Sequence, residues 1–339
     1  MNVIIVKIFL GTIFHFFLNF IFKKNKFFID NQSHSNHKKL TADNKKNLLT
    51  GGLSILILLC ILVTENYQLK LFCILMFLVG LCSDLNFINS PIKRFIIQTI
   101  LITIFIFQFN NNVVYTDIAI IDFFLEYKII SYFFTIYCFL ILINGTNFID
   151  GLNGLVLGYY FLSFLTLLFF IINKNISFDY SIIIIVLIIL IINYPFNLIG
   201  KNFLGDSGSY LIAFVAGYIF IDFYATYKDV SSLFIVTLLW YPAFENLFSI
   251  IRKKISSKKA SRPDTNHIHQ LIFKYLKINI KNKKLSNIYS GLIVNFYNSI
   301  VCLIAYSLFD SSIGLSVLLF INIIIYSSSY ILLLKKLKN

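Results

Sequence analysis

Charge is scarce in this chain. Only 13% of its 339 residues are charged, and only 15 of them are acidic. A soluble globular domain carries charge on about a quarter of its residues. With 58% hydrophobic residues and a mean hydropathy of +0.82, a soluble domain, a disordered chain and a fibrous repeat are excluded. The five cysteines (Cys60, Cys73, Cys82, Cys138, Cys302) lie in or beside apolar runs with no metal-like spacing. They read as small buried hydrophobes, and a disulfide scaffold is excluded. Met1–Val6 carries no basic patch and no small-residue cleavage site follows, so the first apolar run reads as a helix rather than a signal peptide. What remains is an all-α polytopic membrane protein, one integral membrane domain over residues 1–339, because continuous apolar runs outnumber alternating ones.

Those runs predict about eleven transmembrane helices. They are Val3–Phe22, Leu48–Val63, Leu71–Cys82, Phe95–Phe109, Ile129–Ile143, Leu155–Ile172, Tyr180–Ile192, Tyr210–Phe223, Leu233–Ile251, Ile288–Phe309 and Ile313–Leu334. The formal net charge of +14 would point to nucleic acid in a soluble protein, but here it is read by position, and no nucleic-acid partner is expected. Loops on alternate sides hold 24 and 5 of the 29 Lys and Arg residues, while the acids divide 7 to 8. Cations concentrate in cytoplasmic loops. The expected orientation therefore has the N-terminus periplasmic and the C-terminus cytoplasmic, with residues 252–287 as a basic cytoplasmic loop.

Four polar segments break the apolar pattern. They are Gly80–Asp84, Asn144–Gly154, Phe203–Ser209 and Arg262–His269. Two spans separate each from the next, which returns all four to one face, where they can converge at the membrane–water boundary. Asp150 and Asp206 each precede an apolar helix, so an N-cap role is open for either. Capping does not explain the glycines packed around them, which suit close approach of backbone to a ligand. A few carboxylates within a cationic face suit Mg²⁺, a hard ion that shares its shell with substrate phosphates, with basic groups neutralising phosphate charge. His267 and His269 are two apart, off a common helical face and far from any cysteine, which argues against zinc. They read either as a solvated loop or as a phosphate-facing one. His15 in the first span reads as a packing residue. Glu245 lies about two turns inside the basic loop, where an ionisable group needs a partner. Lys93 and Arg94 read as ordinary topology anchors or as ligands for an anionic headgroup, and the lysines of residues 23–46 as a solvated face.

In this order and spacing the segments resemble the polyprenyl-phosphate N-acetylhexosamine-1-phosphate transferases. Asn144–Leu155 resembles their Asn-rich signature ending in Asp-Gly-x-x-Gly-Leu. Phe203–Ser209 resembles Phe-x-Gly-Asp-x-Gly-Ser, Gly80–Asp84 a segment ending in two acids, Thr50–Gly52 an early Gly-Gly, and Arg262–His269 a histidine loop. Three departures stand out. Ser83 occupies the place of the first of the two acids, Gln270 that of a final histidine, and Glu245 that of an aspartate.

The resemblance implies transfer of an N-acetylhexosamine-1-phosphate from a UDP-sugar to undecaprenyl phosphate, releasing UMP and starting lipid-linked cell-envelope glycan synthesis at the cytoplasmic face of the bacterial inner membrane. It implies Asp206 as ligand to Mg²⁺, with Mn²⁺ as a substitute, and Asp84 and Asp206 as catalytic. It implies Asn147, Asp150 and Phe203 at the uridine, Lys93 and Arg94 at the lipid phosphate, Arg252, His267 and His269 at the diphosphate or sugar, and a homodimer. Asp84 would remove a residual proton from the lipid phosphate in a direct displacement, or carry a phospho-aspartate. Two other classes compete. A transporter or flippase for an anionic lipid-linked sugar would place ionisable groups near mid-membrane in two repeated halves, and no internal repeat is found. A CDP-alcohol phosphotransferase needs an Asp-rich pattern with repeated spacing on adjacent helices, which is lacking.

Overall fold

The protein is described by a computed structural model covering residues 11–13, 17, 50–227, 229–257 and 265–338. The first apolar run beyond those few positions, His15, the lysines of residues 23–46 and Arg262–Asp264 lie outside the described residues.

Among the described residues from Thr50 onward the regular structure is all helical. The helices are α1 Thr50–Leu62, α2 Tyr67–Asp84, α3 Pro91–Phe109, α4 Ala119–Leu125, α5 Lys128–Ile149, α6 Leu155–Asn173 and α7 Ser181–Leu198. They continue with α8 Gly205–Thr226, α9 Ser232–Leu238, α10 Trp240–Ile255, α11 Ile268–Asn279, α12 Lys283–Ser307 and α13 Ser312–Lys338. Every expected apolar run within the described residues has a helix. The expected count of eleven is not reached among them. Eight helices are long and apolar enough to cross a membrane, a bent pair makes a ninth, and α1 has only 13 residues, short for a bilayer. The basic segment 252–287, expected as a loop between spans, carries helices of its own among its described residues. It holds the end of α10, the amphipathic α11 and the start of α12.

α8 is the buried axis, packed by α2, α5 and α1. Its glycines and alanines let backbones touch, which is how helices associate where lipid is as apolar as leucine. A Cβ on Gly80 would come within 2.5 Å of Asp206 O and Ser207 N, and one on Gly52 within 2.6 Å of Gly208 N. The glycines of two polar segments thus bring α1 and α2 against the first turn of α8.

The run expected as one straight span at Leu233–Ile251 bends by 76° between α9 and α10. Pro242 explains the break. It lacks the N–H that would bond to Leu238 O in a continuous helix. That carbonyl instead accepts from Tyr159 Oη and Ser163 Oγ of α6, both at 2.8 Å and buried. Side chains of a neighbouring helix thereby satisfy the broken backbone, as a membrane interior demands.

Candidate functional site

The C-termini of α2 and α5 and the N-termini of α3, α6, α8 and α11 meet at one end of the bundle. At its centre, Asp206 stands in the first turn of α8, its side chain 13% exposed. It does not cap its own helix. Asp84, at the end of α2, caps it from 122 residues away. Oδ1 of Asp84 accepts the Asp206 N–H at 2.9 Å and Oδ2 accepts that of Ser207 at 3.0 Å. Two of the four free amides of the α8 N-terminus are thus held by a carboxylate, which the helix dipole also favours. Asp84→Ala should lower the thermal stability of the detergent-solubilised protein by about 1–3 kcal/mol, with Asp84→Asn costing less because one acceptor survives. Equal melting midpoints for Ala and wild type would show that the cap contributes nothing.

Asp206 Oδ2 is the focus of a compact charged cluster. Ser83 Oγ donates to it at 2.5 Å and Arg94 Nη1 at 2.6 Å, and Arg94 Nη1 also reaches Ser83 Oγ at 2.6 Å. The hydroxyl at the first position of the expected acidic pair therefore joins cation to carboxylate. Arg94 Nε is buried with no hydrogen-bond partner among the described residues, a donor still to be satisfied. The neighbouring Lys93 is exposed. Arg94, which the sequence leaves open as a topology anchor, belongs to the cluster.

The Asn144–Gly154 segment joins this cluster to a second one. Asn147 Oδ1 accepts from Ser209 Oγ, and its Nδ2 donates to Tyr210 Oη, both at 3.4 Å, on the α8 side. The next residue, Phe148, faces the His267 ring at 5.3 Å between centroids and carries Lys253 Nζ 5.5 Å above its own ring. Asp150 is half-buried at the C-terminus of α5, its N–H bonded to Thr146 O, so the N-cap option for it is excluded. The cap position of α6 is Gly154 instead, in the left-handed conformation at φ 74° that glycine adopts freely. Phe203 is half-buried, and its carbonyl accepts from Gly51 N at 3.0 Å.

The second cluster is a buried network. Glu245, fully buried on α10, accepts from His267 Nδ1 at 2.8 Å and from Tyr326 Oη of α13 at 2.7 Å. A carboxylate only accepts, so Nδ1 of His267 carries the proton and Nε2 is left for another partner. His267 is the N-cap residue of α11, and its N–H donates to Gln270 Oε1 at 3.4 Å, so the departure at 270 helps to close the helix end. His269 stacks on His267 with centroids 5.7 Å apart and is fully buried, which pushes its imidazole down to about 3 and keeps it neutral. Its Nε2 has no hydrogen-bond partner among the described residues and would lie 2.9 Å from a Cβ on Gly151. The solvated-loop reading of both histidines is thereby overturned. Arg252 braces this network, bonding Asn266 O, Tyr330 Oη at 3.2 Å and Ser249 Oγ at 3.4 Å.

Among the described residues no three His, Cys, Asp or Glu side chains converge as a ready cation cage. The oxygen donors present, Asp206 and Asp84 with the Asn147 amide, fit a hard ion that takes one or two carboxylates and completes its shell with water and phosphate. Sequence reasoning does not single out Lys253, Tyr326 or the joining role of Ser83. Each contact spans distant parts of the chain and has no local signature.

Comparison with known proteins gives the same outline. Residues 66–224, which include Asp84, Arg94, Asn147, Asp150 and Asp206, match the model of glycosyl transferase family 4. Over 223 residues the chain is 29% identical to undecaprenyl-phosphate alpha-N-acetylglucosaminyl 1-phosphate transferase of Thermotoga maritima, covering 65% of this chain and 66% of that protein. Over 188 residues it is 27% identical to the probable undecaprenyl-phosphate N-acetylglucosaminyl 1-phosphate transferase of Bacillus subtilis, covering 54% and 49%. The matched region thus spans between about half and two thirds of these curated relatives. Over residues 66–224, just under half of its length, the chain is thus similar to glycosyl transferase family 4, and the two acids and the arginine gathered at the first turn of α8 all fall within that stretch.

Proposed function

We propose that the protein transfers an N-acetylhexosamine-1-phosphate from a UDP-sugar to undecaprenyl phosphate, releasing UMP, at the cytoplasmic face of a bacterial inner membrane. The observation that carries this reading is the Asp84–Asp206–Ser83–Arg94 cluster, where a capped carboxylate and a guanidinium with an unsatisfied N–H share one helix terminus. Both reactants are anions, and the nucleophile is a phosphate oxygen already ionised near neutral pH. The protein's task is therefore to bring two negative groups together and to stabilise charge on the departing UMP.

Arg94 and Lys93 orient the lipid phosphate, and Arg94 Nε offers it a hydrogen bond. Asp84 fixes the first turn of α8 and so the direction of Asp206. Asn147 and Asp150 hold the uridine against Phe203, while Nε2 of His267 and His269 and the Arg252-braced network face the diphosphate or sugar. Asp206, together with the substrate phosphates, would hold Mg²⁺ or Mn²⁺ in its place, and the bound ion would supply charge neutralisation. The cation asymmetry of 24 to 5 across alternate loops supports the orientation. A homodimer is the assembly that the resemblance implies.

The test is incubation of purified protein with Mg²⁺, undecaprenyl phosphate and a panel of UDP-sugars, scoring UMP. Release that depends on both substrates, stops with EDTA and returns with added Mg²⁺ is the expected result. UMP release undiminished by chelation would refute the metal role, and no release with any UDP-N-acetylhexosamine would refute the activity.

A further inference from the structure

The turn that carries Asp150 is held from behind by three buried asparagines on two helices. Asn287 Oδ1 of α12 accepts the Asn153 N–H at 2.8 Å. Asn197 Oδ1 of α7 accepts the Gly154 N–H at 2.8 Å, and Asn295 Nδ2 of α12 donates to Gly154 O at 3.0 Å. Two neighbouring amides of the α5–α6 turn are thus satisfied by side chains, the Gly154 carbonyl accepts from Asn295 as well as from Gly158 N at 3.0 Å, and Asn287 is 3% exposed. The turn has few bonds of its own. Gly151 N bonds to Ile149 O at 2.8 Å, and Leu155 N reaches Leu152 O at 3.3 Å. Asn287 and Asn295 sit two helical turns apart on one face of α12, outside the residues matched by the family model. Nothing at the level of helix packing requires amides there, since a buried amide is costly unless its partners are supplied.

We propose that Asn197, Asn287 and Asn295 are positioning residues that set the Asp150 turn for the nucleotide half of the donor, making α12 part of the substrate-binding apparatus. The inference rests on the uridine-site reading above for its substrate. The clamp itself is a statement about the turn.

The donor–acceptor pattern makes it testable on the full-length protein in detergent. Asn287 only accepts here, so Asn287→Asp keeps its bond, whereas Asn287→Leu removes it. Asn295 donates, so Asn295→Asp cannot replace it. Asn287→Leu and Asn295→Asp are expected to raise the KM for the UDP-sugar about tenfold, with kcat and the KM for undecaprenyl phosphate within about twofold of wild type. Asn287→Asp should stay near wild type. Amide hydrogen exchange at Asn153 and Gly154 should quicken about tenfold or more in Asn287→Leu while the α8 core keeps its protection.

An unchanged UDP-sugar KM in Asn287→Leu, or an Asn287→Asp variant as impaired as Asn287→Leu, would overturn the proposal. If wild-type protein released no UMP at all, the activity would fall, but the exchange measurement would still decide the clamp. Unaltered exchange in Asn287→Leu would then refute it. Should Asn287→Leu not fold, the contrast between Asn287→Asp and Asn295→Asp carries the same decision.

Discussion

Asp206→Asn is expected to cut turnover by about a thousandfold while the protein stays folded. The size follows from removing a preorganised charge at the point where the reactants' charge must be managed, an effect of about 10²–10³ where such groups have been deleted. The fold should survive for a local reason. The asparagine side chain is isosteric with Asp206, the backbone N–H remains bound to Asp84, and the amide oxygen still accepts from Ser83 and Arg94. What the substitution removes is the formal charge that balances Arg94 and that, on the proposed function, would hold a divalent ion. The measurement is UMP release at saturating substrate, beside a thermal melt in detergent. Near-normal turnover with an unchanged melt would remove Asp206 from the chemistry and leave it as a counter-ion for Arg94. Titration with Mn²⁺, followed by its paramagnetic resonance signal, gives a readout independent of turnover: the variant should bind the ion less tightly than wild type.

How much of this site the sequence reveals depends on the range of each interaction. The apolar runs locate every described helix of membrane-spanning length, because period and hydropathy are local properties. The four polar segments stand out for the same reason, and spacing by pairs of spans is enough to bring them to one end. What joins them is not local. Asp84 caps a helix that begins 121 residues later, and no rule applied around Asp84 or Asp206 identifies that pairing. Read locally, Asp206 looks like its own helix cap. In the fold it is one of the residues being capped. Ser83 looks like the loss of an acid, yet its hydroxyl bonds both Arg94 and Asp206. The bend at Leu239 is hidden in the sequence because residues on both sides are apolar. Pro242 is its one visible sign, and the carbonyl it frees is satisfied only by α6. The helical α11 is masked by the lysines around it, whose charge pattern reads as a loop. The asparagines of α12 blend into an Asn-rich composition, and only their buried partners distinguish them.

Glu245→Leu is expected to destabilise the protein by about 2–6 kcal/mol, the cost of leaving two buried donors unsatisfied at about 1–3 kcal/mol each. Glu245 is fully buried between α10, α11 and α13, and its two oxygens serve one partner each, His267 Nδ1 and Tyr326 Oη. Leucine would fill the volume but leave an imidazole N–H and a phenol hydroxyl without partners in a site closed to water. Glu245→Gln should cost far less, because the amide oxygen still accepts from Nδ1–H and the amide N–H can donate to the tyrosine oxygen once its hydroxyl turns. Thermal midpoints in detergent separate the two outcomes, and Tyr326→Phe gives an independent control, expected near ~1 kcal/mol for a single lost hydrogen bond. Activity should fall further than stability in Glu245→Leu. Loss of the carboxylate frees the tautomer of His267 and loosens the first turn of α11, which that histidine caps. If Leu and Gln variants melted together, the network would be a consequence of packing rather than a cause of it. If both melted lower but turned over normally, His267 would have no part in binding the donor.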